Sequence, residues 1–239
     1  SLLGSALHVM MEANFRSKRK SHSDLSLEEL EEVFDVAWDR DLPVEVDNPR
    51  FSRERFDLAR ELGYVMTAFF WQAVAPNVKP HLVEHRFKFM MDGVPVPIIG
   101  QVDLVNTGGT VIDHKTSGSP YDENYLQHDL QLFCYSLGYT LIREGMRLRE
   151  GQMPSARRLS PVRVDIILRR PEPELQQLSR SYTEADIERI GADIRFLASG
   201  IISNKFEPFW TGNEQDGAWR KCASCEFEAV CEMSLSNSG

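Results

Sequence analysis

Apolar positions along the chain change period several times, and each change marks an element. Residues Leu2 to Phe15 repeat at helical spacing, with Leu3, Leu7 and Met10 on one face and Gly4, His8 and Met11 on its neighbour. "SLEELEEVFDVAWDR" predicts a second helix, with Ser26 as N-cap and Glu29 closing a capping box. A third helix is predicted from about Ser52 to Ala73, ended by the prolines of "APNVKP". The period then drops to two. "HLVEHRFKFM" alternates as a strand, with Val83, His85, Phe87 and Phe89 on one face and Glu84, Arg86 and Lys88 on the other.

Two further strands flank a glycine turn in "GQVDLVNTGGTVIDHKTS". Alternation puts Val102 and Leu104 on one face of the first, and Gln101, Asp103 and Val105 on the other; Val111, Asp113 and Lys115 share a face of the second. A helix follows from about Glu123 to Arg143, with an apolar stripe of Leu126, Leu130, Phe133, Leu137 and Leu141, and with Gln131 and Tyr135 one turn apart on another face. "EGMRLREGQMPSARRLSP" reads as an exposed loop, "VRVDIILRR" as a strand and "TEADIERIGADIRFLASGIIS" as a last long helix. No internal repeat or low-complexity segment interrupts the series. Helices, three strands, helix, strand, helix predict an α/β fold with one mixed sheet covered by helices.

Composition changes this picture little. The 239 residues are 42% hydrophobic and 26% charged, enough for one large domain or two small ones. No apolar run reaches the length of a membrane span, and the first residues lack the basic stretch and cleavage site of a secretory signal, so the expected location is the cytoplasm. The net charge of −9 argues against binding nucleic acid through charge alone. That charge is unevenly spread: Asp24 to Glu61 holds thirteen acids against five bases, whereas Arg143 to Arg170 holds eight arginines against three acids, and "RSKRK" adds a basic cluster at Arg16 to Lys20. Three of the four cysteines crowd into "CASCEFEAVC", a spacing that suits a metal or cluster better than a disulfide framework.

The hairpin carries the candidate chemistry. With a three-residue turn at Thr107 to Gly109, Asp103 and Asp113 fall directly opposite each other and Lys115 lies two residues along on the same face. Carboxylates about 5 Å apart repel by roughly 3 kcal/mol at an effective dielectric near 20. A shared proton, the lysine, or a divalent cation such as magnesium or manganese would each offset that cost. Taken alone, a D-x-K triplet is common by chance, and an aspartate facing water at a sheet edge with Lys115 as its salt-bridge partner is the simpler account of it. On the following helix, Gln131 and Tyr135 together could orient a phosphate or a water, and Cys134, nearer the apolar stripe, reads as a buried structural thiol. His8 by itself has the look of an ordinary helix histidine, although Gly4 one turn earlier leaves room beside its ring.

Taken in order, the "GSALH" of Gly4 to His8, the G-x-x-D of Gly100 to Asp103, the D-x-K of Asp113 to Lys115, the Q-x-x-x-Y of Gln131 to Tyr135 and the C-x2-C-x5-C of Cys222, Cys225 and Cys231 resemble one family. It is the RecB-like branch of the PD-(D/E)xK nucleases, which includes the nuclease domains of RecB and AddB and the CRISPR-associated RecB-like exonucleases. Each motif is weak, but the match runs from His8 to Cys231. The resemblance implies a restriction-endonuclease-like αβββαβ core, spanning residues 1–210 with a helical insertion at about 24–75, and a cysteine tail at 211–239 packed on the same domain. It further implies that His8, Asp103 and Asp113 are metal ligands, with His114 adding its backbone carbonyl. Lys115 would position or activate the attacking water and steady charge at phosphorus. Gln131 and Tyr135 would contact the DNA backbone near the scissile phosphate. Glu84 matches an acidic residue that some members carry on the preceding strand, but a solvent-facing strand position fits it as well.

In cluster-bearing members a fourth cysteine upstream of the helix histidine completes a [4Fe-4S] site, and no cysteine precedes His8 here. The chain is then a segment of a longer protein, or Cys134 substitutes, or the tail binds zinc or nothing. The expected activity is a Mg²⁺- or Mn²⁺-dependent DNA exonuclease in repair, recombination or phage- or CRISPR-type DNA processing. DNA is its substrate, a helicase its candidate partner, and the nuclease part of a helicase–nuclease its candidate setting. The rival readings are a catalytically silent DNA-binding or scaffold module, against which the intact Asp103, Asp113 and Lys115 argue, and a structure-specific endonuclease on the same core.

Overall fold

A computed structural model describes residues 2–46, 53–127, 129–145 and 153–203. Contacts divide the chain into residues 1–195 and 196–239, and the described part of the second unit is 196–203. Cys222, Cys225 and Cys231 lie outside the described residues.

Three helices come first: α1 (Leu2–Ser21), α2 (Leu27–Val46) and α3 (Arg53–Phe69), the last running on through a π turn at Phe70–Val74. His22, in the left-handed region at φ 64°, stops α1 by returning its N–H to the Lys18 carbonyl. The capping box at α2 forms: the Ser26 N–H donates to the Glu29 carboxylate at 2.7 Å, and the Glu29 N–H donates to the Ser26 hydroxyl at 3.2 Å. Leu3, Leu7 and Met10 are buried, and with Leu30, Phe34 and Phe70 they build one apolar core over Val83, Leu104, Ile112 and Ile167 of the sheet.

Five strands form that sheet in the order β1 (Pro80–Met91), β2 (Val94–Asn106), β3 (Val111–Ser117), β4 (Val162–Leu168) and β5 (Leu175–Arg180). All neighbours are antiparallel except β3 and β4, which run parallel and are joined by the crossover helix α4 (Leu130–Glu144). This is the mixed, helix-flanked sheet that the order of elements predicts. The last helix is α5 (Glu184–Ile202).

Two elements differ from the sequence expectation. The helix expected from Glu123 begins at Leu130, because the Asp129 carboxylate caps the Leu132 N–H at 2.9 Å; Glu123–Gln127 is a separate 3-10 turn holding buried Leu126. The strand β5 is an addition, since "LQQLSR" has little apolar content to predict it; it holds as an edge strand through its ladder with β4. Correspondingly, β4 ends at Leu168, before the two arginines.

One ring fixes the distance between α4 and the hairpin. Phe87 lies between Gly100 of β2 and Gly138 of α4; an added Cβ would fall 2.3 Å from its ring at the first and 2.6 Å at the second. Its ring also meets Tyr135 edge-on, with centroids 5.9 Å apart. Alanine favours a helix over glycine by about 1 kcal/mol, so an open site would gain from Gly138→Ala. Here the methyl must displace a buried ring, and urea unfolding should show a net loss of about 1–3 kcal/mol.

Candidate active site

The turn sets the register. The Asn106 N–H donates to the Thr110 carbonyl at 3.0 Å across three turn residues, and Gly109 supplies the left-handed position at φ 80°. Leu104 therefore pairs with Ile112 and Val105 with Val111, which makes Asp103 and Asp113 the next facing positions. Beyond that point the backbone ladder stops, and the Asp103 carboxylate itself accepts the His114 N–H at 3.0 Å. On the other side of β2, the pairs Val83–Leu104 and His85–Val102 put Glu84 opposite Asp103.

Glu84 is the residue that alternation suits equally to solvent, and it is buried at the site instead. Its backbone is left-handed at φ 49°, a conformation that costs a non-glycine residue about 1–3 kcal/mol and concentrates at functional sites. Its side chain is 8% exposed and lies 3.6 Å from His8 Nε2. The Gln101 amide donates to Glu84 and accepts from Arg86 Nε at 2.9 Å, so an exposed arginine and a glutamine hold the buried carboxylate in place.

His8 approaches from α1 and brings its Nε2 to 3.2 Å from Asp103. His8, Glu84 and Asp103 thus offer one nitrogen and two carboxylate oxygens within 4.8 Å of one another. Among the described residues this is the group suited to a cation, and its hard oxygen donors with one imidazole suit a divalent metal. Asp113 stands next to it but is turned to Lys115, whose Nζ is 2.9 Å from its carboxylate. A cleft of about 470 Å³ opens beside the group, lined by Gly4, Ser5 and His8 of α1 and by His114, Lys115 and Thr116 of β3.

The remaining expected residues divide. On α4, Gln131 donates to the Tyr135 hydroxyl at 2.6 Å. Burial first, then the Asp103 charge, pushes the Tyr135 phenol up to about 12, so it stays a donor. The His114 carbonyl remains on the β3 backbone, but its side chain, to which the sequence assigns no role, is buried and stacks on Phe15 with ring centroids 5.4 Å apart. Cys134 is half-buried and carries a thiol pushed up to about 11 by burial.

Electrostatics distinguish the three carboxylates. Burial raises Glu84 above the ordinary range against the pull of Gln101 and His8. Burial would also raise Asp103, but the His8 imidazole and the His114 N–H outweigh it and hold Asp103 low. Asp113, buried and facing the Asp103 charge, is raised to about 6 despite Lys115. The Asp103 hydrogen bond raises His8 in turn. Burial disfavours the Lys115 ammonium, yet Asp113 and Asp103 together hold its pKa above the ordinary value.

Comparison with known proteins gives the family of the chain. The chain belongs to the PD-(D/E)XK nuclease superfamily, whose family model matches residues 1–232. Among curated proteins no sequence matches it significantly. Two crystal structures show a similarity to the chain. One is of a "Putative exonuclease" from Eubacterium rectale, at 12% identity and a TM-score of 0.49, covering 91% of this chain and 76% of the other. The second is of SSO0001, at 14% identity and a TM-score of 0.43, covering 98% and 83%. No helix among the described residues is long and apolar enough to cross a membrane.

The raised Asp113 makes the metal-free site a stability liability. Its folded pKa of about 6 exceeds its ordinary 3.8, so the folded state binds more protons between these values and stability falls as pH rises through them. In chelator at about pH 8, Asp113→Asn should therefore stabilise the protein by about 1–3 kcal/mol, less whatever the lost Lys115 partner costs. The gain should shrink by about pH 4.5, where wild-type Asp113 is protonated. Urea midpoints at the two pH values check this.

Proposed function

We propose that the chain is a metal-dependent DNA exonuclease of the RecB-like branch. The observation that carries this reading is the meeting of His8 from α1, Glu84 from β1 and Asp103 from β2 within 4.8 Å, beside the Asp113–Lys115 pair. Helix α1 and the distant β1–β2 hairpin bring those donors together at the cost of a left-handed Glu84 backbone and desolvated charge. Superfamily membership supplies the reaction class, phosphodiester hydrolysis.

In this reading His8, Glu84 and Asp103 hold Mg²⁺ or Mn²⁺, with Asp113 and the His114 carbonyl as adjoining oxygen donors. When bound, the cation supplies activation of the attacking water and neutralisation of charge on the phosphoryl oxygens. Lys115, aimed by Asp113, brings a second positive charge to the developing phosphorane. Gln131 and Tyr135 present donors to the DNA backbone from α4. The Q-x-x-x-Y pair and the C-x2-C-x5-C tail favour the RecB-like exonucleases over endonucleases on the same core, and this branch suits the nuclease part of a helicase–nuclease.

End-labelled single- and double-stranded DNA, incubated with and without each cation, tests the proposal. Wild-type protein should shorten linear DNA with Mg²⁺ or Mn²⁺ and lose activity in EDTA. Asp113→Ala and Lys115→Ala should each lose about 10²-fold or more while melting cooperatively. Full activity in EDTA, or an active Asp113→Ala variant, rejects the mechanism.

Cys222, Cys225 and Cys231 extend the reading to a [4Fe-4S] cluster. Anaerobically purified protein should then show a visible absorption band and bound iron, both lost in Cys225→Ser; stoichiometric zinc without colour would assign the tail to zinc instead.

A further inference from the structure

We propose that the segment between β3 and α4 is a seat for an unpaired nucleobase of the substrate strand, with Tyr121 and Tyr125 as its stacking surface. The inference rests on the nuclease reading above and names the feature of DNA that the site would select. The two rings lie with centroids 4.4 Å apart at an interplanar angle of 51°, and both residues are partly exposed. The apolar anchor of this segment is Leu126, which is 4% exposed, so the tyrosines are not what fills the core beneath it.

Its stretch from Tyr121 to Gln127 is held firmly for a loop. The Gln176 side chain of β5 clamps Tyr121 from both sides, donating to its carbonyl and accepting from its N–H, each at 2.8 Å. Arg180 donates to the Leu126 carbonyl at 2.5 Å and Arg189 to the Gln127 carbonyl at 2.7 Å. A surface fixed in this way loses little entropy when a ligand settles on it.

Its position ties it to the site. The segment leaves β3 at Ser117, just past Lys115 and Thr116, and ends at Asp129, the cap of the helix that carries Gln131 and Tyr135. Burial first, then the nearby Asp129 and Asp113 carboxylates, keep the Tyr125 phenol protonated. The exposed Arg169 guanidinium lies 3.9 Å from where a Cβ on Gly118 would stand, so a cation flanks the start of the segment, where a backbone phosphate could meet it.

Stacking on an aromatic ring needs a free base face and no particular base identity. Paired bases inside a duplex hide that face, whereas a single strand or a frayed end offers it. The occupant is therefore an unpaired base.

Fluorescence anisotropy in Ca²⁺ compares a labelled single strand with the same strand bearing abasic sites in place of its terminal nucleotides. Wild-type protein should bind the natural strand about 10-fold more tightly. Tyr121→Ala and Tyr125→Leu should bind both strands alike, and Tyr121→Phe should keep the preference. Equal binding of both strands by wild-type protein, which needs no variant to fold, overturns the proposal, as does a preference that survives in both Tyr121→Ala and Tyr125→Leu. Cleavage without a preference for bases would sink the seat and leave the nuclease reading standing. A preference for bases without cleavage in Mg²⁺ or Mn²⁺ would do the reverse.

Discussion

Glu84, Asp103 and Asp113 occupy successive register positions across three neighbouring strands, so a row of carboxylates runs through the sheet. Such a row is unstable on its own, since each pair repels and each member has lost solvent. Everything around it reduces that cost. His8 and the His114 N–H converge on Asp103, which stays ionised; Lys115 takes Asp113; Gln101, backed by Arg86, takes Glu84. The two outer carboxylates are raised and the central one lowered, so negative charge is held most firmly on Asp103, where its donors are densest. A divalent cation beside His8, Glu84 and Asp103 would complete the neutralisation that these protein groups leave unfinished.

The scaffold explains why the row can be held. On β3, the Asp113 to Lys115 stretch is fastened along its whole length to parallel β4, so its backbone does not depend on the interrupted ladder with β2. Phe87, seated between Gly100 and Gly138, fixes how close α4 comes to the hairpin and thereby brings Tyr135 within electrostatic reach of Asp103 and Asp113. The glycine of the G-x-x-D motif is thus a packing requirement: a Cβ at Gly100 would occupy the space of that ring. Motif and chemistry are linked through an aromatic side chain that belongs to neither.

Much of this arrangement is legible in the amino-acid sequence. The turn "NTGGT" determines that Asp103 faces Asp113, because a turn of known length leaves the register no freedom. The capping box at Ser26 and the apolar stripes of α1 and α4 are readable for the same reason, that local spacing decides them. Glu84 is not. Alternation assigns it to the polar face of β1, and what turns it toward His8 is a left-handed backbone angle that a glutamate does not advertise. The start of α4 is obscured because Leu126 continues the apolar stripe although it packs from a separate 3-10 turn. The strand β5 escapes a pattern reading because a polar edge strand owes its form to its neighbour's hydrogen bonds and hardly at all to its own sequence.

The same electrostatics divide the labour between the two residues of the D-x-K motif. A lysine serves as a base only when its pKa is brought down toward neutrality by burial or by like charge. Lys115 is partly buried, but Asp113 and Asp103 more than compensate and keep the proton on its nitrogen. In the proposed reaction it therefore acts as a fixed cation and hydrogen-bond donor, and activation of the water falls to the cation site. Asp113 is what makes this role available, since without an adjacent carboxylate the same desolvation would press Lys115 toward its neutral form. The motif is best understood as one ion pair: the aspartate tolerates an unfavourable burial so that the lysine can remain charged where a phosphate would need it.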